Sequence, residues 1–142
     1  MIMSLRLTER KKWWGATIVV ADDDDAVRFS IMKLLWAYGH MPVEAANGQQ
    51  AIDRIRQGGV DLLITDLVMP EMEGIQTIRE LRTSHPQLPI VAMSGSIHGS
   101  YLKTARLLGA HRTIVKPIDP EELLATVGEI LPGKLSGLRT LR

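Results

Sequence analysis

Short apolar runs alternate with longer stretches of helical period through the middle of the chain, and this alternation restricts the fold more than any other feature. An apolar run of four or five residues with little polar interruption suits a strand buried on both faces, and such strands belong to parallel sheets covered by helices. Runs of this kind occur at 17–21, 41–45, 61–65, 90–93 and 112–115. Helical spacing fills about 26–38, 48–57, 74–84, 99–108 and 120–131. Five βα units follow, an α/β architecture. Gly39, Gly58 and Gly109 stand where helices should end. The last helix opens with "DPEE": Asp119 as N-cap, Pro120 at the first helical position and Glu122 three residues on to complete a capping box.

A chain of 142 residues with 45% hydrophobic content buries one real core and has no room for a second full domain. Without cysteine, disulfides and thiolate metal sites are excluded. Residues 1–16 and 132–142 each carry +3, which leaves −5 on residues 17–131 within the total of +1. The expected organisation is a basic N-terminal extension at 1–16, one domain at 17–131 and a basic tail at 132–142. An acidic body is not a nucleic-acid-binding body. No segment approaches membrane-spanning length, so a cytoplasmic protein is expected.

Every strand of a parallel sheet points its C-terminal end to the same edge, where polar residues from distant positions converge. Asp22 and Asp23 follow the first strand, Asp66 ends the third in "LLITDLVMPEMEG", Ser94 ends the fourth in "IVAMSG" and Lys116 ends the fifth in "IVKP". No histidine, cysteine or serine–histidine pair lies at those ends, which disfavours acyl-enzyme chemistry. Three carboxylates at one edge call for a hard divalent cation with oxygen ligands, and Mg²⁺ is bound by one or two carboxylates together with waters and phosphate oxygens. A lysine and a hydroxyl would then serve a phosphoryl group, with one carboxylate left as nucleophile.

Residues 17–131 closely resemble the receiver domains of two-component response regulators, in particular single-domain receivers like the chemotaxis regulators. The acidic pair after the first strand, "TDLVMPEMEG", "MSG" and "KP" occur in that family's order and spacing. The resemblance implies a flavodoxin-like, doubly wound five-stranded parallel sheet of order 2-1-3-4-5 alternating with five helices. It implies Asp66 as phosphoacceptor, Asp23 as direct metal ligand, Asp22 as a ligand through water and the Val68 carbonyl as a further metal contact. Mg²⁺ would be the cofactor, with Mn²⁺ able to substitute. Ser94 and Lys116 match the phosphate-sensing hydroxyl and the lysine, and Lys116–Pro117 the family's cis peptide. The partner would be a histidine kinase or histidine phosphotransfer protein, with an unidentified protein target downstream and neither nucleic acid nor membrane. Like its relatives, the protein would not be a conventional enzyme, catalysing only its own phosphotransfer and dephosphorylation.

Thr113 departs from the pattern, because many receivers carry an aromatic switch residue there. Output would then rely on backbone and helix shifts, or the chain would relay its phosphoryl group onward. Of the remaining acids in "ADDDDAV", Asp24 or Asp25 should cap the first helix. His40, His85, His98 and His111 lack ligand spacing and read as surface residues. "MPEMEG" reads as a lip to the site, stiffened by Pro70 and freed at Gly74. On the first helix, Val27, Ile31, Leu34, Leu35 and Tyr38 form the face toward the sheet. Phe29, Met32 and Trp36 form a second stripe, suited either to a partner or to cover by the extension with Trp13 and Trp14. Two other readings remain open. "VVADDDDAV" loosely fits a haloacid-dehalogenase-type phosphatase with Asp22 as nucleophile and Asp24 as acid/base, although Glu121 and Glu122, in a helix start, do not supply its second acidic pair. A pseudo-receiver acting only as a binding module is the other.

Overall fold

The computed structural model describes residues 15–69, 73–95 and 100–134. Five strands, β1 (Thr17–Ala21), β2 (Met41–Ala45), β3 (Leu62–Asp66), β4 (Ile90–Ser94) and β5 (Arg112–Val115), alternate with five helices. These are α1 (Asp25–Ala37), α2 (Gly48–Arg56), α3 (Gly74–Ser84), α4 (Ser100–Leu107) and α5 (Pro120–Ile130). All strand pairs are parallel, in the order β2-β1-β3-β4-β5.

Strand periodicity divides the core in two. Val19, Ala21, Leu63, Ile90 and Ala92 pack with Ala51, Ile52 and Ile55 of α2, Ile78 and Leu81 of α3 and Ala105 of α4. Ile18, Val20, Leu62, Ile64, Val91, Met93 and Ile114 pack on the other face with Ile31 and Leu35 of α1 and Leu123 and Val127 of α5. The pairs Ile31/Leu35 and Leu123/Val127 are four residues apart, so each occupies one side of its helix. Burying a side chain of this size contributes roughly 1.5–3 kcal/mol. β2 is an edge strand, which lets it accept Pro42, a residue without an amide to donate.

Several details differ from the expectation. β3 begins at Leu62 and runs through Asp66, because the Asp61 carboxylate turns to accept the Thr17 amide at 2.9 Å. His40 is not a surface residue: it is 1% exposed, and its Nδ1 accepts the Ala16 amide at 3.0 Å. His85 is half-buried and His111 exposed, whereas His98 lies outside the described residues. Met69 is a core residue and not a lip, while Pro70, Glu71 and Met72 lie outside the described residues. Asp119 caps α5 through the Glu121 amide at 3.0 Å, one position earlier than a capping box predicts. Gly39, Gly58 and Gly109 do end helices, with φ of 93°, 88° and 115°.

Candidate functional site

The turn from β1 to α1 assigns the four aspartates different tasks. Asp22 is wholly buried and donates its amide to the Ala45 carbonyl at 3.1 Å, which continues the sheet one residue past β1. Its Oδ1 accepts the Asp24 amide at 3.0 Å. Asp23 is exposed. Asp24 is the cap of α1, accepting the Ala26 amide at 2.9 Å and the Val27 amide at 3.1 Å, a bond type that stabilises a helix by about 1 kcal/mol. Asp25 lies in the first turn and pairs with Arg28 at 2.7 Å.

Asp66 is the last residue of β3 and 7% exposed. Its Oδ1 accepts the Leu67 amide at 2.9 Å. Gly74 opens α3 against the Asp66 backbone, where a Cβ would meet the Asp66 carbonyl oxygen at 2.2 Å. Gly74 thus serves close approach and not turn freedom. Ser94 ends β4, is 1% exposed and accepts the Lys116 amide on its carbonyl at 2.9 Å. Lys116 follows β5 and precedes a cis bond to Pro117. Its ammonium donates to Asp22 Oδ2 at 2.7 Å and lies 3.5 Å from Asp66 Oδ1.

One carboxylate oxygen from each of Asp22, Asp23 and Asp66 falls within a 4.8 Å cluster. Burial raises the Asp66 pKa above the ordinary carboxylate value; the Lys116 charge opposes this and the Asp22 charge reinforces it. Burial works against the Lys116 ammonium, but its hydrogen bond to Asp22 and the charges of Asp66 and Asp22 prevail and raise its pKa. Three carboxylates against one ammonium leave a net charge of −2 on an all-oxygen donor set when ionised, which suits Mg²⁺. Both Asp22 oxygens are engaged, by Asp24 and Lys116, whereas among the described residues nothing engages Asp66 Oδ2. Of the two buried carboxylates, Asp66 is therefore the one with an oxygen to spare. Asp22 and the cap Asp24 do not fit the nucleophile and acid/base of the phosphatase reading.

Val68, two residues beyond Asp66, is 53% exposed. Thr113 is half-buried in β5, in register with Ala92. The second stripe of α1 is divided: Phe29 is 63% and Trp36 41% exposed, while Met32 is half-buried against the core, away from a purely outer position. Trp13 and Trp14 lie outside the described residues. Sequence reasoning missed Arg28, whose Nη1 donates to the Asp22 carbonyl at 2.7 Å. Its spacing of three from Asp25 is an ion-pair signal, but nothing in the sequence points it back to the turn.

Residues 18–128 match the family described as the response regulator receiver domain. The chain is 33% identical over 109 residues to the sensor kinase CckA of Brucella abortus (strain 2308), covering 75% of this chain and 12% of the kinase. It is also 33% identical over 88 residues to the chemotaxis protein CheY of Bacillus subtilis (strain 168), covering 62% of this chain and 73% of that protein. Among solved structures, the chemotaxis response regulator CheY4 of Vibrio cholerae superposes with a TM-score of 0.76 at 26% identity, over 82% of this chain and 99% of that one. The chain thus spans a small part of the kinase and most of the two chemotaxis proteins. Among the described residues no helix is long and apolar enough to cross a membrane.

Proposed function

The chain belongs to the response regulator receiver domain family, and from that premise we propose that Asp66 accepts a phosphoryl group from a phosphohistidine, borne by a histidine kinase or a phosphotransfer protein. The observation that carries this reading is the Asp66 carboxylate, set among Asp22, Asp23 and the Lys116 ammonium with Oδ2 unengaged among the described residues. An Asp66 oxygen forms the new O–P bond as the P–N bond to imidazole breaks, and the imidazole nitrogen leaves with the electron pair and takes a proton. Asp23 directly, Asp22 through water, Asp66 and the Val68 carbonyl would hold Mg²⁺, or Mn²⁺ in its place. The ion supplies neutralisation of charge on the phosphoryl oxygens. Lys116 balances a phosphoryl oxygen and Ser94 donates a hydrogen bond to another. The same residues serve hydrolysis of the acyl phosphate by water, so transfer and loss are both self-catalysed.

Thr113 has no aromatic ring to rotate, which favours a relay of the phosphoryl group or an output carried by α4 and backbone shifts. Phe29 and Trp36 lie exposed along the helix that starts at the Asp22–Asp23 turn, and they are assigned to contact with the phosphohistidine partner, with Met32 packed beneath them against the core. The test is to incubate the protein with Mg²⁺ and a small phosphodonor, trap the acyl phosphate and locate it by mass spectrometry. The adduct should map to Asp66, require Mg²⁺ and be absent from Asp66→Asn. An adduct on Asp22 would instead restore the phosphatase reading.

A further inference from the structure

The turn between β1 and α1 has to hold two adjacent carboxylates toward one point, and like charges at that spacing push apart. Its first residue is held by the Asp22 amide on Ala45, and its last by the cap that Asp24 makes on α1. Between them lies the Asp22–Asp23 peptide, whose plane sets the direction in which the Asp23 side chain departs. Its carbonyl is bonded by Arg28 Nη1 at 2.7 Å. The rest of the guanidinium is fixed as well: Nη2 donates to Asp25 Oδ1 at 2.7 Å and Nε to Glu44 Oε2 at 3.3 Å. One side chain, 11% exposed, therefore ties together the turn, the first turn of α1 and edge strand β2.

We infer that Arg28 is a positioning residue for the metal-binding acids, holding the Asp22–Asp23 peptide so that both carboxylates are presented to Mg²⁺. The inference rests on the reading above that these two residues hold the ion. Charge and tether make opposite demands, which allows them to be separated. A cation near the site opposes a second cation, so an Arg28 acting by charge would weaken metal binding. Asp25 and Glu44 both pair with the guanidinium, and Arg28→Met removes charge and tether together whereas Arg28→Lys removes the tether alone. The two acids are 89% and 61% exposed, and such pairs contribute little energy by themselves. Their part is to orient the fork. A lysine supplies the charge but cannot bridge three acceptors with a planar group.

Mg²⁺ affinity of the full chain, measured by calorimetry for wild type, Arg28→Met, Arg28→Lys and Asp23→Asn, tests this. Both Arg28 variants should bind Mg²⁺ about tenfold more weakly, the order expected when a partner that orients metal ligands is lost. At saturating Mg²⁺ their phosphorylation by a small donor should return to the wild-type rate, a split that a general loss of structure would not produce. Mg²⁺ binding by Arg28→Met as tight as wild type or tighter, or full recovery by Arg28→Lys, would overturn the inference. If wild type binds no Mg²⁺, or Asp23→Asn binds it as well as wild type, the metal-site reading itself fails.

Discussion

His40 stands in the turn between α1 and β2 with its Nδ1 accepting the Ala16 amide, which places the ring proton on Nε2. Nε2 is buried without a partner among the described residues. A second proton would have to go on Nδ1, where it would face the amide that donates there now. Burial accordingly lowers the His40 pKa below its ordinary value. The folded state then binds fewer protons than the unfolded chain, whose imidazole titrates near 6.5, and the contribution present above that pH is lost as pH falls from there through the lowered folded value. The slope from one such group is at most about 1.4 kcal/mol per pH unit. His111 shifts in the same direction through burial, Arg82 and Arg112, and Asp66, with a raised pKa, acts in the opposite sense. The difference between wild type and His40→Asn isolates His40, since an Asn oxygen can accept the Ala16 amide without titrating. In urea titrations from pH 7.5 to 5, wild type should lose stability relative to His40→Asn as pH falls, and parallel curves would refute the role. Nothing in the sequence distinguishes His40 from His85 or His111. Its contact is with Ala16, the residue before β1 and 24 residues away, and this long-range contact is invisible to local pattern.

Among the elements, α1 shows how far periodicity reaches. Spacing of 100° per residue correctly puts Ile31 and Leu35 on the core face, with Val27 and Leu34 beside them. Met32 lies three residues from Leu35, about 60° around the helix, so it flanks the core as readily as it joins Phe29 and Trp36. The structure resolves this toward the core, and the outer stripe is carried mainly by its two aromatic residues. Strand ends are less legible: Asp is depleted in strands, but only the bond from the Thr17 amide to the Asp61 carboxylate shows why β3 starts later. Trp36→Glu tests the outer face. It should leave small-donor phosphorylation of Asp66 intact and lower the melting temperature by less than about 4 °C, the equivalent of roughly 1 kcal/mol in a domain of this size. Transfer from the phosphohistidine partner should slow tenfold or more, because truncating a central interface aromatic costs about 2 kcal/mol or more. A larger fall in melting temperature would assign Trp36 to the interior of the fold.

At the scale of the whole molecule, the fold and most of the site follow from one constraint: a parallel sheet delivers Asp22, Asp66, Ser94 and Lys116 to the same edge whatever the loops do. The contributions of Gly74 and Arg28 were not legible, since each acts on backbone from a different element. Folding also concentrates charge at that edge. With Lys116 between Asp22 and Asp66, the ionised cluster still carries −2, and burial together with Asp22 disfavours the charged form of Asp66. A divalent cation that binds only the folded cluster offsets this repulsion and stabilises the domain by about 1.4 kcal/mol at a tenfold excess over its Kd. Melting curves in a Mg²⁺ series should therefore rise by roughly 4–6 °C at that excess. Asp66→Asn removes one of the repelling charges and one ligand together. Without Mg²⁺ it should be at least as stable as wild type, and with Mg²⁺ its melting temperature should rise by less than half as much. Equal Mg²⁺ shifts in the two proteins would show that the ion binds somewhere other than at Asp66.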